Sequence, residues 1–308
     1  MRTTSGHLII WGFYMELKAQ QASLNIDEQI ENLKSLGLII GDEEYAKKIL
    51  NDISYFRLIK AYSLTLKKKN SNYTEGTTFD EIVNLYLFNA NMRQLLFGKI
   101  EQIEVNLRCR ISNRFSSQYG VLGYEDEANF GRPEYHDSFL SEMKIEVDRN
   151  SKSPFVKNFR HNYEDGKIPF YALIELFSFG TLSKFYKNLK AIDKKDIASN
   201  YKIGYTFLES WIENISYVRN ICAHYGRLYN AKFPKTPTLY KQYTDKGIGN
   251  NRLFATLICM KYLLSIDDKW MAFVSDIEEL FNKYPNVDIK TMGFPENWKE
   301  YLTKYIKE

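Results

Sequence analysis

The stretch from Thr78 to Tyr119 contains no proline and a single glycine, Gly98, and it does more than any other part of the chain to limit the fold. Ile82, Leu85, Tyr86, Met92, Leu96, Ile103, Leu107 and Ile111, with Asn89 in register among them, recur at helical spacing. Thr78-Phe-Asp-Glu81 opens the run, and Tyr119-Gly120 closes it. One helix of this length must bury its apolar stripe against others, so the expected class is an all-α bundle. Composition agrees. Only seven prolines and sixteen glycines in 308 residues leave little material for a turn-dense β fold. A hydrophobic content of 44% with 15% aromatics describes a globular chain and excludes a disordered one.

A second long helix is expected from Phe207 to Tyr225, again without proline or glycine, with Gly226 at the position that follows a helix end. Phe207, Trp211, Ile215, Val218, Cys222 and Tyr225 form its apolar stripe. At about 100° per residue, Glu213, Tyr217, Asn220 and His224 fall on a separate face. Arg219 lies at the other edge of the stripe, roughly 140° from His224 on an ideal helix. The pair Arg219 and His224, with Asn220 directly after the arginine, combines a planar phosphate fork with a group that exchanges protons near neutral pH. Spacing alone leaves two readings open: a phosphodiester-cleaving pair, or a dipole-favoured histidine at a helix end beside a surface ion pair. Arg2 and His7 repeat the spacing in a Ser/Thr/Gly-rich terminus with no helical context.

Shorter helices fill the remainder. Asn25-Ile-Asp-Glu28 has the form of a capping box, followed by Ile26, Ile30, Leu33 and Leu36 at helical spacing before Gly37. Further helices are expected over 42–49, through Tyr55, Ile59, Tyr62 and Leu66, over 138–149, after Pro154 and Pro169, over 181–190, 250–264 and 267–284, and at the C-terminus after a turn at 292–295. Residues 120–136 read as irregular, and Lys67-Lys-Lys-Asn-Ser-Asn72 and Phe233-Pro-Lys-Thr-Pro-Thr238 as loops. Residues 1–14 are expected to be a disordered extension, and 15–308 a single helical domain. Within it, N-terminal helices occupy about 25–70, a core about 78–264 and C-terminal helices about 265–308.

Other chemistries find no support. The three cysteines, Cys109, Cys222 and Cys259, are isolated and lack zinc or disulfide spacing, which reads as a reduced, cytoplasmic chain. His136 and His161 lack ligand partners at metal spacing and read as surface residues, and the carboxylates are scattered, so neither a metal nor a cofactor is expected. No phosphate-binding glycine loop or nucleophile elbow occurs, and no apolar stretch is long enough to span a membrane. A formal charge of +4 permits an RNA partner without requiring one.

Arg219-Asn-Ile-Cys-Ala-His-Tyr-Gly-Arg-Leu-Tyr-Asn230 resembles the signature of the Abi family, the AbiD/AbiF-type abortive-infection proteins of the HEPN superfamily. Glu28 to Ile40, Ile53 to Tyr62 and Met292 to Trp298 match in the same order, with a fainter echo over 176–183, so the resemblance covers about residues 18–300. It implies a HEPN-type helical bundle with N- and C-terminal helical additions. The implied activity is metal-independent RNA cleavage through the ribose 2′-OH, in phage defence or a toxin–antitoxin system. Arg219 and His224 would be catalytic and Asn220 would orient one of them. Arg227, Arg108 and Arg114 are candidate RNA contacts. A homodimer bringing two His224 side chains together, and a protein or small-RNA antitoxin, are the implied partners. The alternative from another class is a non-catalytic RNA-binding or protein-interaction module of a defence system.

Overall fold

The computed structural model describes residues 23–163 and 165–305 in full, and residues 7–10 and 13–16 as backbone. The expected 1–14 extension, Arg2 included, otherwise lies outside the described residues. Its backbone appears only where His7–Ile10 (β1) pairs antiparallel with Phe13–Glu16 (β2). The rest of the described structure is built from helices, and the all-α class holds. The chain divides into two compact units, Met1–Tyr86 and Leu87–Glu308, with the division falling inside the longest helix.

In the first unit, α1 (Ile26–Ser35) starts at the expected capping box: Asn25 Oδ1 accepts from the Glu28 amide at 2.9 Å and Glu28 Oε2 from the Asn25 amide at 2.8 Å. Gly37, at φ +86°, turns the chain out of it, a conformation that costs glycine nothing. α2 (Glu43–Asp52) is capped by Asp42. The helix expected through Tyr55 and Leu66 instead loosens and then tightens: Phe56–Lys60 is a π-helical turn and Leu64–Leu66 a 3₁₀ turn. The π-turn keeps Leu58 and Ile59 buried while leaving Phe56 exposed.

α3 (Phe79–Tyr119) begins in this unit and runs on as one 41-residue helix, about 60 Å long. Thr78 and Glu81 exchange side-chain and backbone hydrogen bonds at its start. In the second unit its buried stripe reads Phe88, Met92, Leu96, Ile100, Ile103, Leu107, Ile111 and Phe115. Gly98 sits on the exposed side, where an added Cβ would meet open space, so the helix passes through it unbroken.

The remaining helices of the second unit are α4 (His136–Arg149), α5 (Pro154–Asn162), α6 (Phe170–Leu173), α7 (Phe179–Asn188), α8 (Ala191–Ser199) and α9 (Tyr205–Ala223). They are followed by α10 (Lys241–Thr244), α11 (Leu253–Leu264), α12 (Asp268–Lys283) and α13 (Trp298–Thr303). The helix expected over 181–190 is α7, which stops at Asn188, and α8 follows it as an element for which no expectation was made. Its Asp193 is fully buried and held by Arg114 and the Tyr119 hydroxyl. α9 packs against α7, α8 and α11. α11 is buried on nearly every side, as its all-round apolar sequence requires. His136 is a correction to the surface reading. It is buried, with Nε2 at 2.9 Å from the Tyr124 carbonyl and its ring beside Phe130, because 3₁₀ turns over 123–135 fold the irregular segment inward.

One buried charge has a consequence for stability. Lys261 on α11 is fully enclosed, and its Nζ donates to the Tyr243 hydroxyl at 2.9 Å, the Tyr301 carbonyl at 2.7 Å and the Lys304 carbonyl at 2.9 Å. Burial pushes its pKa down to about 8, and only the neighbouring Cys259 opposes that fall. The unfolded chain, with an ordinary lysine near 10.4, holds the proton more tightly. The penalty is therefore complete below pH 8 and relieved as pH rises towards 10. Above that, buried phenols such as Tyr186 and Tyr243, whose pKa values burial raises, favour the unfolded state instead. Thermal melts are expected to show Tm rising between about pH 7.5 and 8.5, before the buried Cys222 and Cys259 thiols, whose pKa values burial raises, oppose the gain, and Lys261→Met to flatten that rise. An unchanged slope in the variant would assign the rise to another group.

Candidate functional site

The candidate site is the C-terminal end of α9 and the loop after it. Leu208, Trp211, Ile212, Ile215, Val218 and Cys222 are buried and fix the rotation of the helix. Asn214 is also fully buried. Its Nδ2 donates to the Lys235 carbonyl at 2.6 Å, and its Oδ1 accepts from the Thr256 hydroxyl at 2.8 Å. Trp211 Nε1 donates to the Thr238 carbonyl at 2.6 Å, so residues 233–238 are fastened along α9.

Arg219 faces α3. Its Nε lies 3.6 Å from Glu104 Oε2, and its guanidinium sits 5.6 Å from the centre of the Phe97 ring. The other oxygen of Glu104 is held by Arg108 at 2.8 Å, so a single carboxylate, 15% exposed, bridges two guanidiniums. Arg108 also donates to the Phe177 carbonyl at 2.9 Å and pairs with Glu175 at 3.4 Å. Arg114 is tied to Asp193 at 2.8 Å. Of the three arginines named as RNA contacts, Arg108 and Arg114 are thus engaged with carboxylates of their own chain. Asn220 and His224 are exposed. Among the described residues, the His224 imidazole has no hydrogen bond, ion pair or ring contact. The structure therefore places Asn220 and His224 together at the open end of the helix, with Arg219 turned towards α3. Arg227 follows in the loop, half-buried.

The helix end differs from expectation in one respect. His224 is the C-cap, and the residue in the left-handed conformation is Tyr225, at φ +57°, not Gly226. The Tyr225 amide bonds to the Cys222 carbonyl at 3.3 Å and the Gly226 amide to the Ile221 carbonyl at 2.7 Å, which is a Schellman motif. Gly226 is required for a different reason: a Cβ there would stand 2.9 Å from Ile221 Cγ2 and 3.2 Å from the Ile221 carbonyl oxygen. Tyr225, expected in the apolar stripe, is 66% exposed, because the left-handed turn swings it off the helical register. An aromatic residue in this conformation is strained, of the order of 1–2 kcal/mol, and it stands next to His224.

Two residues of α3 that sequence reasoning did not single out hold this loop. Asn89, fully buried, accepts on Oδ1 from the Leu228 amide at 2.7 Å and the Tyr229 amide at 2.9 Å, and donates through Nδ2 to the Gly226 carbonyl at 3.3 Å. Arg93 donates to the same carbonyl at 3.1 Å. The only sequence signal was a polar residue within an apolar stripe, at 89. For Glu104 it was a carboxylate four residues before an arginine.

The second face of α9 is partly covered. Glu213 pairs with Lys235 at 2.6 Å, which holds its carboxyl below the usual range, and Tyr217 packs edge-on against Phe233 at 5.8 Å. Cys222 is buried and its thiol is pushed up to about 12, so it is inert. Among the described residues, no group of three or more His, Cys, Asp or Glu side chains is placed to hold a metal ion, and no helix is long and apolar enough to cross a membrane.

Comparison with curated proteins and with solved structures gave no match. The family model of the Abi-like proteins matches residues 48–230, more than half of the chain, and its last residues coincide with the loop that Asn89 and Arg93 hold. With that match, the chain belongs to the Abi-like protein family.

Proposed function

We propose that this protein is a metal-independent endoribonuclease of the HEPN type, close to the AbiD/AbiF proteins, acting in abortive infection or a toxin–antitoxin system. Membership of the Abi-like family supports the defence role. The observation that carries the chemistry is the exposed His224 imidazole, without an internal partner among the described residues, one turn beyond an arginine whose guanidinium is aimed by Glu104 and Phe97. Cleavage needs a base to take the proton from the ribose 2′-OH. The 2′-oxygen then attacks phosphorus, forming a 2′,3′-cyclic phosphate, and the 5′-oxygen leaves with a proton from an acid. His224 serves as one of these, Arg219 neutralises charge on the phosphate, and Asn220 orients the imidazole or the arginine. One histidine does not reach both sides of an in-line displacement. A second copy, meeting the open end of α9 through Asn220, His224 and the exposed Tyr225, supplies the other. Glu213 and Tyr217, engaged by Lys235 and Phe233, have a smaller part in such a contact than the helical wheel suggests. An antitoxin, protein or small RNA, would act by covering the same end.

The ion pair of Arg219 with Glu104 also fits a non-catalytic RNA-binding or interaction module, in which the arginine packs the bundle. The purified protein separates the two readings. It is expected to cut RNA in EDTA, to leave 2′,3′-cyclic phosphate ends or their hydrolysis products, and to spare an all-deoxy strand of the same sequence. Strict Mg²⁺ dependence, or equal cutting of DNA, would sink the mechanism, and RNA binding without cutting would favour the module.

A further inference from the structure

A cavity of about 380 Å³ lies away from the α9 end, between the Phe130–Tyr135 segment, α4 and α7. That is at the small end of the range of roughly 300–1,000 Å³ typical of ligand sites. Its lining is mostly apolar and carried by three rings. Phe139 is 5.7 Å from Phe130 and 5.4 Å from Phe185, and Phe130 stands edge-on to Phe185. Around the rings stand Arg132, Lys184, Lys187, Glu142 and Asn188.

The polar groups are not equivalent. Glu142 accepts from the Thr181 hydroxyl at 2.9 Å and pairs with Lys184 at 3.4 Å. Lys187 lies 4.0 Å from Glu213 on α9. The Arg132 guanidinium has no hydrogen bond or ion pair among the described residues. Its backbone is nevertheless fixed: the Arg132 amide donates to Asn188 Oδ1 at 3.0 Å, and the preceding Gly131 amide to the Asn188 carbonyl at 2.8 Å. Gly131 permits this approach, since a Cβ there would be 3.0 Å from the Leu189 carbonyl oxygen. A pinned segment thus presents an unengaged cation at the mouth of a ring-lined hole.

Rings select a flat π-system, an unpaired guanidinium selects a phosphate, and a carboxylate with an amide at the wall selects a heterocycle that both donates and accepts. We propose that this cavity binds a nucleoside monophosphate unit, its base against the half-buried Phe139 and the exposed Tyr135 over a floor of buried Phe130 and Phe185, its phosphate on Arg132, and an amino-bearing base preferred through Glu142. The unit comes either as a free nucleotide or as one residue of an RNA strand, and both share this chemistry.

The site goes beyond the cleavage reading and is tested apart from it, on the full chain carrying His224→Ala so that RNA survives if the wild type cuts. Calorimetric titrations with AMP, UMP, adenosine and a six-residue oligoadenylate give the comparison. AMP is expected to bind at least fivefold more tightly than UMP or adenosine. Arg132→Ala should weaken AMP about tenfold, and Ser138→Trp, at the exposed rim, should block it. Circular dichroism melts establish that both surface variants fold. Tighter binding of the oligomer than of AMP, with the same losses, identifies the strand as the source; binding of AMP alone identifies a free nucleotide. If neither AMP nor the oligomer binds, or if both variants leave binding unchanged, the proposal is overturned.

Discussion

His224→Ala is expected to abolish RNA cleavage, by about 10³-fold or more, while leaving Tm within a degree or two of the parent. The chemical loss follows from the proposed role, since a positioned acid or base contributes about 10²–10⁴-fold. The structural silence follows from the site: the imidazole is exposed, and no internal contact reaches it among the described residues. Surface changes of that kind usually lie within about 0.5 kcal/mol. Arg219→Ala should fall nearly as far in rate, because it removes the positive charge at the phosphate, and Glu104 keeps Arg108 as a partner. Arg219→Lys should recover little, since an ammonium does not reproduce the planar fork. His7→Ala, in the other Arg-x4-His spacing, is the control and should cut normally. Toxicity on expression and cleavage by purified protein are both measured. A fully active His224→Ala protein that melts normally removes His224 from the chemistry.

Asn89→Ala is expected to be the most damaging single change to stability near the site, although residue 89 lies well over a hundred positions before the motif loop. Truncation leaves the Leu228 and Tyr229 amides buried without their acceptor and takes one donor from the Gly226 carbonyl. Each stranded buried group costs about 1–3 kcal/mol, so a total of about 3–5 kcal/mol follows. For a unit of about this size that is a fall in Tm of roughly 6–20 °C. Activity should drop as well, because the loop sets the left-handed Tyr225 and hence the end of α9 where His224 sits. Asn220→Ala, an exposed neighbour in the motif, should leave Tm almost unchanged. A melting curve for Asn89→Ala that overlays the wild type would show that water replaces the clamp.

These two expectations differ in how readily the residues are found in the sequence. His224 and Arg219 stand in a short string whose residue types suggest their chemistry. Asn89 and Glu104 do not: one is a polar residue inside an apolar stripe, the other one of many carboxylates on a long helix. Their roles exist only because α3 lies against α9, and spacing along one helix says nothing about what a second brings to it. Tyr225 and His136 show the same limit locally. The helical register placed Tyr225 on the buried stripe, but the Schellman turn breaks that register one residue earlier than glycine would suggest. His136 looked polar by its neighbours in sequence and is buried by Phe130 and Tyr124, which reach it through the folding of an irregular segment.

Local pattern along the chain was enough to specify the helical class, the long helical run opening at Thr78, the capping box at Asn25, and the position of the Arg-x4-His string at a helix end. All of these are short-range consequences of periodicity, glycine and proline content, and side chains that cap their own backbone. Which groups surround the string was settled by packing between helices. Packing aimed Arg219 at Glu104 and Phe97, left His224 in the open, fastened the following loop to Asn89 and Arg93, and assembled the ring-lined cavity beside α7. Those arrangements depend on the distance and angle between helices, which the fit of whole faces sets and no local pattern encodes.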